Sequence, residues 1–139
     1  MKHAINVKWT GDMAFEAIVD EHRIVMDSKP DAGGKNSGPR PKSLLMISLA
    51  GCTGMDVISI LKKMKVEVTG FNMRVIGDLT EEHPKHYTAM KLEYEFTGKD
   101  LPLDKIKHAI ALSQEKYCGV SATLKIPVDI GYEIKIKEI

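Results

Sequence analysis

Two side chains in this sequence can carry covalent redox chemistry under mild conditions, the thiols of Cys52 and Cys118. Two cysteines in a chain of this kind ordinarily serve as small packing residues. Their surroundings point further. Cys52 lies beside Gly51, Thr53 and Gly54, small residues that leave a ligand room to reach the sulfur, and Cys118 stands at a break in helical spacing, where free backbone N–H groups favour thiolate. One intramolecular disulfide is the most that two thiols allow, and in a reducing compartment it is transient and catalytic, not a permanent staple.

The other reactive groups read as structure. His83 and His86, with Glu81 and Glu82, are split by Pro84 and belong to a solvated turn, so no metal site is expected there. Gly33, Gly34 and Gly38 lack the Gly-Lys-Ser/Thr ending of a phosphate loop. Met46, Met55, Met64, Met73 and Met90 fit core faces, and no Gly-x-Ser-x-Gly elbow marks a hydrolase.

Positioning the thiols falls to an α+β arrangement. Apolar residues at strand spacing from Ile5 to Met26, broken at Thr10-Gly11-Asp12, predict a hairpin and a third short strand. Residues 28–41 are dense in Gly, Pro, Ser and Asn and read as a loop with little regular structure. Leu44 to Leu61 is a long apolar helix, with Ser43 placed to cap its start and Lys62, Lys63 and Lys65 near its end. Gly51, Thr53, Gly54 and Asp56 interrupt it and argue against a membrane span. Apolar side chains cover most of its circumference, so it must be enclosed, and a second subunit is the expected source of cover. Its polar remainder, Ser48, Cys52, Asp56, Ser59 and Lys63, advances by four, four, three and four and forms one stripe.

Beyond the helix, Val66 and Val68 alternate and then change phase across Gly70 to Phe71, Met73 and Val75, which predicts a bulged strand. Met90, Leu92, Tyr94 and Phe96 form a cleaner strand that should pair with it around the Thr80 to Lys85 turn. Pro102 opens a second helix running toward Tyr117, a short helical turn follows over 120–124, and Ile130, Tyr132, Ile134 and Ile136 alternate as a final strand.

The chain has 139 residues, which suits one domain over residues 1–139, and 28% are charged and 43% hydrophobic, the composition of a folded protein. A net charge of +1 supplies no field for nucleic acid, and the N-terminus lacks the apolar stretch of a signal peptide, so no nucleic-acid or membrane partner and a cytoplasmic setting are expected.

These features resemble the OsmC/Ohr family, the osmotically inducible protein C and organic hydroperoxide resistance proteins. The match rests on Pro41-Lys42-Ser43-Leu44-Leu45 leading into Ser48-Leu49-Ala50-Gly51-Cys52, and on Tyr117-Cys118-Gly119-Val120-Ser121-Ala122-Thr123-Leu124. The separation of 66 positions between the cysteines is also like the family's. Cys52-Thr53-Gly54-Met55-Asp56-Val57 looks most like a less characterised OsmC-like branch.

The resemblance implies an OsmC-like fold with a long buried central helix, forming an intertwined homodimer. It also implies a peroxidase in which Cys52 becomes a sulfenic acid and Cys118 condenses with it. No cofactor is bound; an external dithiol, typically lipoyl, reopens the disulfide. The family uses an arginine to stabilise the thiolate, and Arg40 is the first candidate here, Arg23 the second. The family's peroxidases place a glutamate ten positions before the first cysteine, where this chain has Lys42. Asp56 and Glu115 are the candidates to replace it, although an ionised Asp56 near the thiol would raise its pKa. The alternative is a non-catalytic dimer that binds a small apolar or thiol-reactive ligand at its interface.

Overall fold

A computed structural model describes residues 1–137. These fall into two compact units, one of Met1–Ser48 and Val75–Lys91, the other of Leu49–Arg74 and the residues from Leu92 onward.

In the first unit, β1 (Val7–Gly11), β2 (Ala14–Val19) and β3 (His22–Met26) form an antiparallel meander in that order. Val7 faces Ala17, which faces Ile24; Trp9 faces Phe15, which faces Met26. One face of the meander is therefore apolar. Little of this chain covers it: Trp9 is 61% exposed and Val7 50%.

The loop after β3 is more ordered than its composition predicts. Asp27 is buried, and its carboxylate accepts from the Ser37 hydroxyl at 2.6 Å and from the backbone N–H groups of Ser28 (2.7 Å), Ser37 (3.1 Å) and Lys35 (3.2 Å). A 3₁₀ turn over Pro30–Ala32 fills part of the loop. A side chain at Gly34 would collide with the Ser28 carbonyl, so this glycine permits the close approach.

Helix α1 spans Pro41–Lys63. It starts two residues before Ser43, so that serine is not its cap; proline opens the helix because its missing N–H is one that a first turn leaves unpaired anyway. Leu49, Thr53, Val57 and Leu61 form its buried stripe, while Ile47 and Met55 stand exposed, the latter at 76%. Met55 therefore does not occupy the core position expected of it.

In the second unit, Val57, Leu61, Val66, Ile106 and Ala109 make the core, with Phe71, Tyr94 and Phe96 against it. Phe71 and Phe96 stack with ring centroids 4.6 Å apart. Strands β4 (Gly70–Leu79) and β5 (Tyr87–Thr97) form a two-stranded sheet. Val66 and Val68 precede β4 in irregular chain, so the phase change at Gly70 marks where the strand begins and not a bulge. Gly54 of α1 faces Met73 of β4, where an added Cβ would lie 3.0 Å from the sulfur.

Helix α2 (Leu103–Leu112) widens into a π-helical turn over Ser113–Tyr117, and α3 (Gly119–Lys125) follows. Residues 130–136 are not a strand. Ile130 is 88% and Tyr132 92% exposed, because a strand needs a neighbour to take its N–H and C=O groups and this segment pairs with none among the described residues.

The hydrogen bonds to Asp27, the Ser37 hydroxyl first and its N–H next, hold its carboxyl far below the usual carboxylate range against the opposing effect of burial. A carboxyl that titrates lower when folded stabilises the fold fully above its unfolded pKa of about 3.9, and that stabilisation is lost as pH falls toward the folded value. Asp27→Asn should therefore lower the melting temperature at neutral pH, and the gap from wild type should narrow as the pH drops below about 4. Calorimetric melting across that range checks it; a gap independent of pH would contradict the assignment.

Candidate functional site

Cys52 and Asp56 are four residues apart on α1 and so share a face. Cys118 arrives from the other side of a helix break: the π turn ends at Tyr117, Cys118 is extended, and its sulfur caps α3 by accepting the Ser121 N–H at 3.3 Å. The two sulfurs and a carboxylate oxygen of Asp56 all lie within 4.8 Å of one another. Two thiols distant in sequence thus meet, as the redox reading requires.

Beneath this cluster runs a chain of buried polar groups. The Ser113 hydroxyl donates to Asp56 Oδ2 at 2.9 Å. Having one proton, it must accept from Thr53, 2.8 Å away. Thr53 in turn accepts from the Tyr94 hydroxyl at 2.8 Å and from Gln114 Nε2 at 3.2 Å. Gln114 also donates to Tyr94 and accepts from the Ser121 hydroxyl. The proton order is therefore fixed from Tyr94 through Thr53 and Ser113 to the Asp56 carboxylate, and Ser121 ties the same network to the Cys118 cap. Thr53 and Ser113 are fully buried, and no described buried side-chain polar atom is left without a partner.

Burial pushes the Cys118 thiol pKa up, and the neighbouring Cys52 and Asp56 push the same way against the Ser121 N–H.

The remaining predicted residues have partners within their own units or stand exposed. Arg40 and Lys42 belong to the first unit; Arg40 donates to the Gly38 carbonyl at 2.9 Å and Lys42 to the Lys85 carbonyl at 3.3 Å. Arg23, also in that unit, pairs with Glu16 at 2.8 Å. Glu115 is exposed on the π turn. Thr53, Ser113, Tyr94, Gln114 and Ser121 were not singled out from the sequence as site residues, although a threonine inside an apolar helix was the available signal. Two cavities lie in the same unit: an apolar groove of about 440 Å³ lined by Gly51, Gly54, Phe71 and Met73 among others but not by Cys52, and one of about 360 Å³ lined by Asp56, Ser59, Lys63 and Tyr117 among others.

The family model for OsmC-like proteins matches residues 34–133. The chain belongs to the OsmC-like family. It is 31% identical over 131 residues to protein YhfA of Escherichia coli K12, covering 94% of this chain and 95% of that protein. A hypothetical protein of Aquifex aeolicus VF5 has the same fold at a TM-score of 0.78 and 30% identity, covering 90% of this chain and 89% of that one. An organic hydroperoxide resistance protein OsmC of Legionella pneumophila shares the fold at a TM-score of 0.64 and 15% identity, with 90% of each chain covered. By length and composition α1 could cross a membrane. OsmC-like proteins are soluble, and in this member α1 sends Leu49, Thr53, Val57 and Leu61 into the interior.

Thr53→Val keeps the shape but removes the hydroxyl to which Tyr94, Ser113 and Gln114 bond. It should cost about 1–3 kcal/mol in urea unfolding, whereas Thr123→Val, at an exposed site, should stay within about 0.5 kcal/mol. Equal effects of the two substitutions would show that the buried network does not hold the site together.

Proposed function

We propose that this OsmC-like protein is a thiol-dependent peroxidase for organic hydroperoxides or hydrogen peroxide, with Cys52 peroxidatic and Cys118 resolving. The convergence of the two sulfurs carries the reading. The Cys52 thiolate attacks the distal peroxide oxygen; the O–O bond breaks, the alcohol or water leaves with a proton, and Cys52 becomes a sulfenic acid. Cys118 displaces the sulfenic hydroxyl, its own proton leaves in the water formed, and an intrachain disulfide results. An external dithiol of the lipoyl class then reduces it by exchange, with no bound cofactor.

Arg40 is proposed as the thiolate's cation, with Arg23 second, and Lys42, Asp56 and Glu115 as supporting residues. The cytoplasm, where thiols are kept reduced, is the proposed setting.

An intertwined homodimer is part of the proposal. The apolar face of the β1–β3 meander, the exposed Ile47 and Met55 of α1 and the alternating apolar residues 130–136 are surfaces that a second copy would cover, more than a monomer ordinarily leaves open. Sedimentation should find twice the 15.5 kDa chain mass at micromolar concentration; a monomer there would refute this part.

For the chemistry, organic hydroperoxide added to reduced protein should lower the intact mass of each chain by two hydrogens. Cys52→Ser should abolish peroxide consumption, Cys118→Ser should allow one turnover and leave a trappable sulfenic acid, and Arg40→Gln should slow the first step. No mass change under excess peroxide would remove the peroxidase reading and favour a ligand-binding dimer.

A further inference from the structure

The cluster that would form the disulfide is also a set of metal ligands. We propose that the reduced chain binds a thiophilic divalent cation of zinc's class through Cys52, Asp56 and Cys118, with a fourth coordination position open to a small ligand. The inference is independent of the peroxidase reading, since it needs only the two reduced thiols.

Ligand type is the first argument. Two sulfurs select a soft or borderline ion such as zinc over magnesium or calcium, and a carboxylate oxygen completes a three-ligand set of the kind that leaves one tetrahedral position free. Spacing is the second. Zinc–sulfur bonds of about 2.3 Å and zinc–oxygen bonds of about 2.0–2.2 Å place ligand atoms on one ion roughly 3.5–4 Å apart. The three atoms here lie within 4.8 Å of one another, so side-chain shifts of about 1 Å suffice.

The surroundings are the third argument. Two ligands four residues apart on a helix present themselves to one ion, as Cys52 and Asp56 do. Asp56 is oriented from behind by Ser113, itself fixed by Thr53, and Cys118 is fixed by the Ser121 N–H; such outer contacts set the aim of metal ligands. Asp56 also lines a cavity of about 360 Å³. His83 and His86, both exposed, form no comparable group: Cys52, Asp56 and Cys118 are the one such cluster among the described residues.

Binding is a balanced exchange. Each thiol loses its proton to the buffer, two sulfur–metal bonds and one oxygen–metal bond form, and no electron moves. The bound ion would then withhold both thiols from any oxidant.

The test titrates the full-length, reduced, chelator-treated protein with Co²⁺ and then Zn²⁺ under anaerobic conditions, without peroxide. One Co²⁺ per chain should bind with an intense thiolate-to-cobalt charge-transfer band that Zn²⁺ abolishes. Cys52→Ser and Cys118→Ser should each weaken the band, and Asp56→Asn should weaken binding at least about tenfold. The double variant His83→Ala/His86→Ala should bind as wild type does. In wild-type protein, Zn²⁺ should also slow maleimide labelling of both cysteines, a readout that does not depend on any variant folding. Absence of the charge-transfer band, unchanged maleimide labelling, wild-type affinity in the Asp56 or either cysteine variant, or loss of binding in the histidine variant would each overturn the proposal. Because no peroxide is present, a failed peroxidase assay and a failed metal titration are separate results.

Discussion

Three groups that each become negative on ionising occupy one small space in this protein, and the arrangement of its second unit follows from holding them there. Cys52 and Asp56 are brought together by helix geometry alone. Cys118 is brought in by a break: α2 widens at Ser113, the chain extends at Cys118, and α3 begins with the sulfur as its cap. A regular helix through this region would carry Cys118 onward along its own axis. The π-helical turn also sets Ser113 and Gln114 facing the buried stripe of α1, where Thr53 meets both. Departures of this kind concentrate at functional positions because they redirect side chains that regular structure would misplace.

The buried hydroxyl chain explains how such a cluster persists in a small core. A carboxylate near two thiols needs donors, and in a partly buried site each missing donor is costly. Tyr94, Thr53 and Ser113 relay their protons in one direction toward Asp56, while Gln114 and Ser121 link that relay to the cap on Cys118. Tyr94 has a second duty through its ring, which packs against the hydrophobic core beside Phe71. The same side chain thus couples apolar packing to the orientation of the carboxylate.

What the sequence made legible follows from the range of the forces involved. The Ser48, Cys52, Asp56 stripe needed only helical periodicity, and the three-strand start and the paired strands around residues 80–86 needed only alternation and turn chemistry. The apolar circumference of the helix run was legible, and side chains such as Met55 stand exposed on it. The meeting of Cys118 with Cys52 could not be obtained from spacing; it entered through the family resemblance. The roles of Thr53, Ser113 and Gln114 were hidden because a serine or threonine in a helix can satisfy itself on its own backbone, and only tertiary structure shows which do not. Alternation over residues 130–136 was misread as a strand within this chain, since period two records a sheet-forming tendency but not the neighbour that must complete it.

The electrostatics of the cluster limit what chemistry it can support. Like charges this close disfavour one another, and for Cys118 the direction is plain: burial, Cys52 and Asp56 all favour its protonated form. A resolving thiol can lose its proton as it reacts, because the departing sulfenic hydroxyl takes that proton up as water. The thiol that attacks a peroxide has to be ionised beforehand, because its nucleophile is the thiolate. The proposed peroxidase cycle therefore calls for positive charge near Cys52. Disulfide formation removes the repulsion by joining the sulfurs, and cation binding removes it by neutralising them. The two proposed states are alternative answers to one electrostatic constraint, and each consumes the same pair of thiols, so the chain cannot occupy both at once.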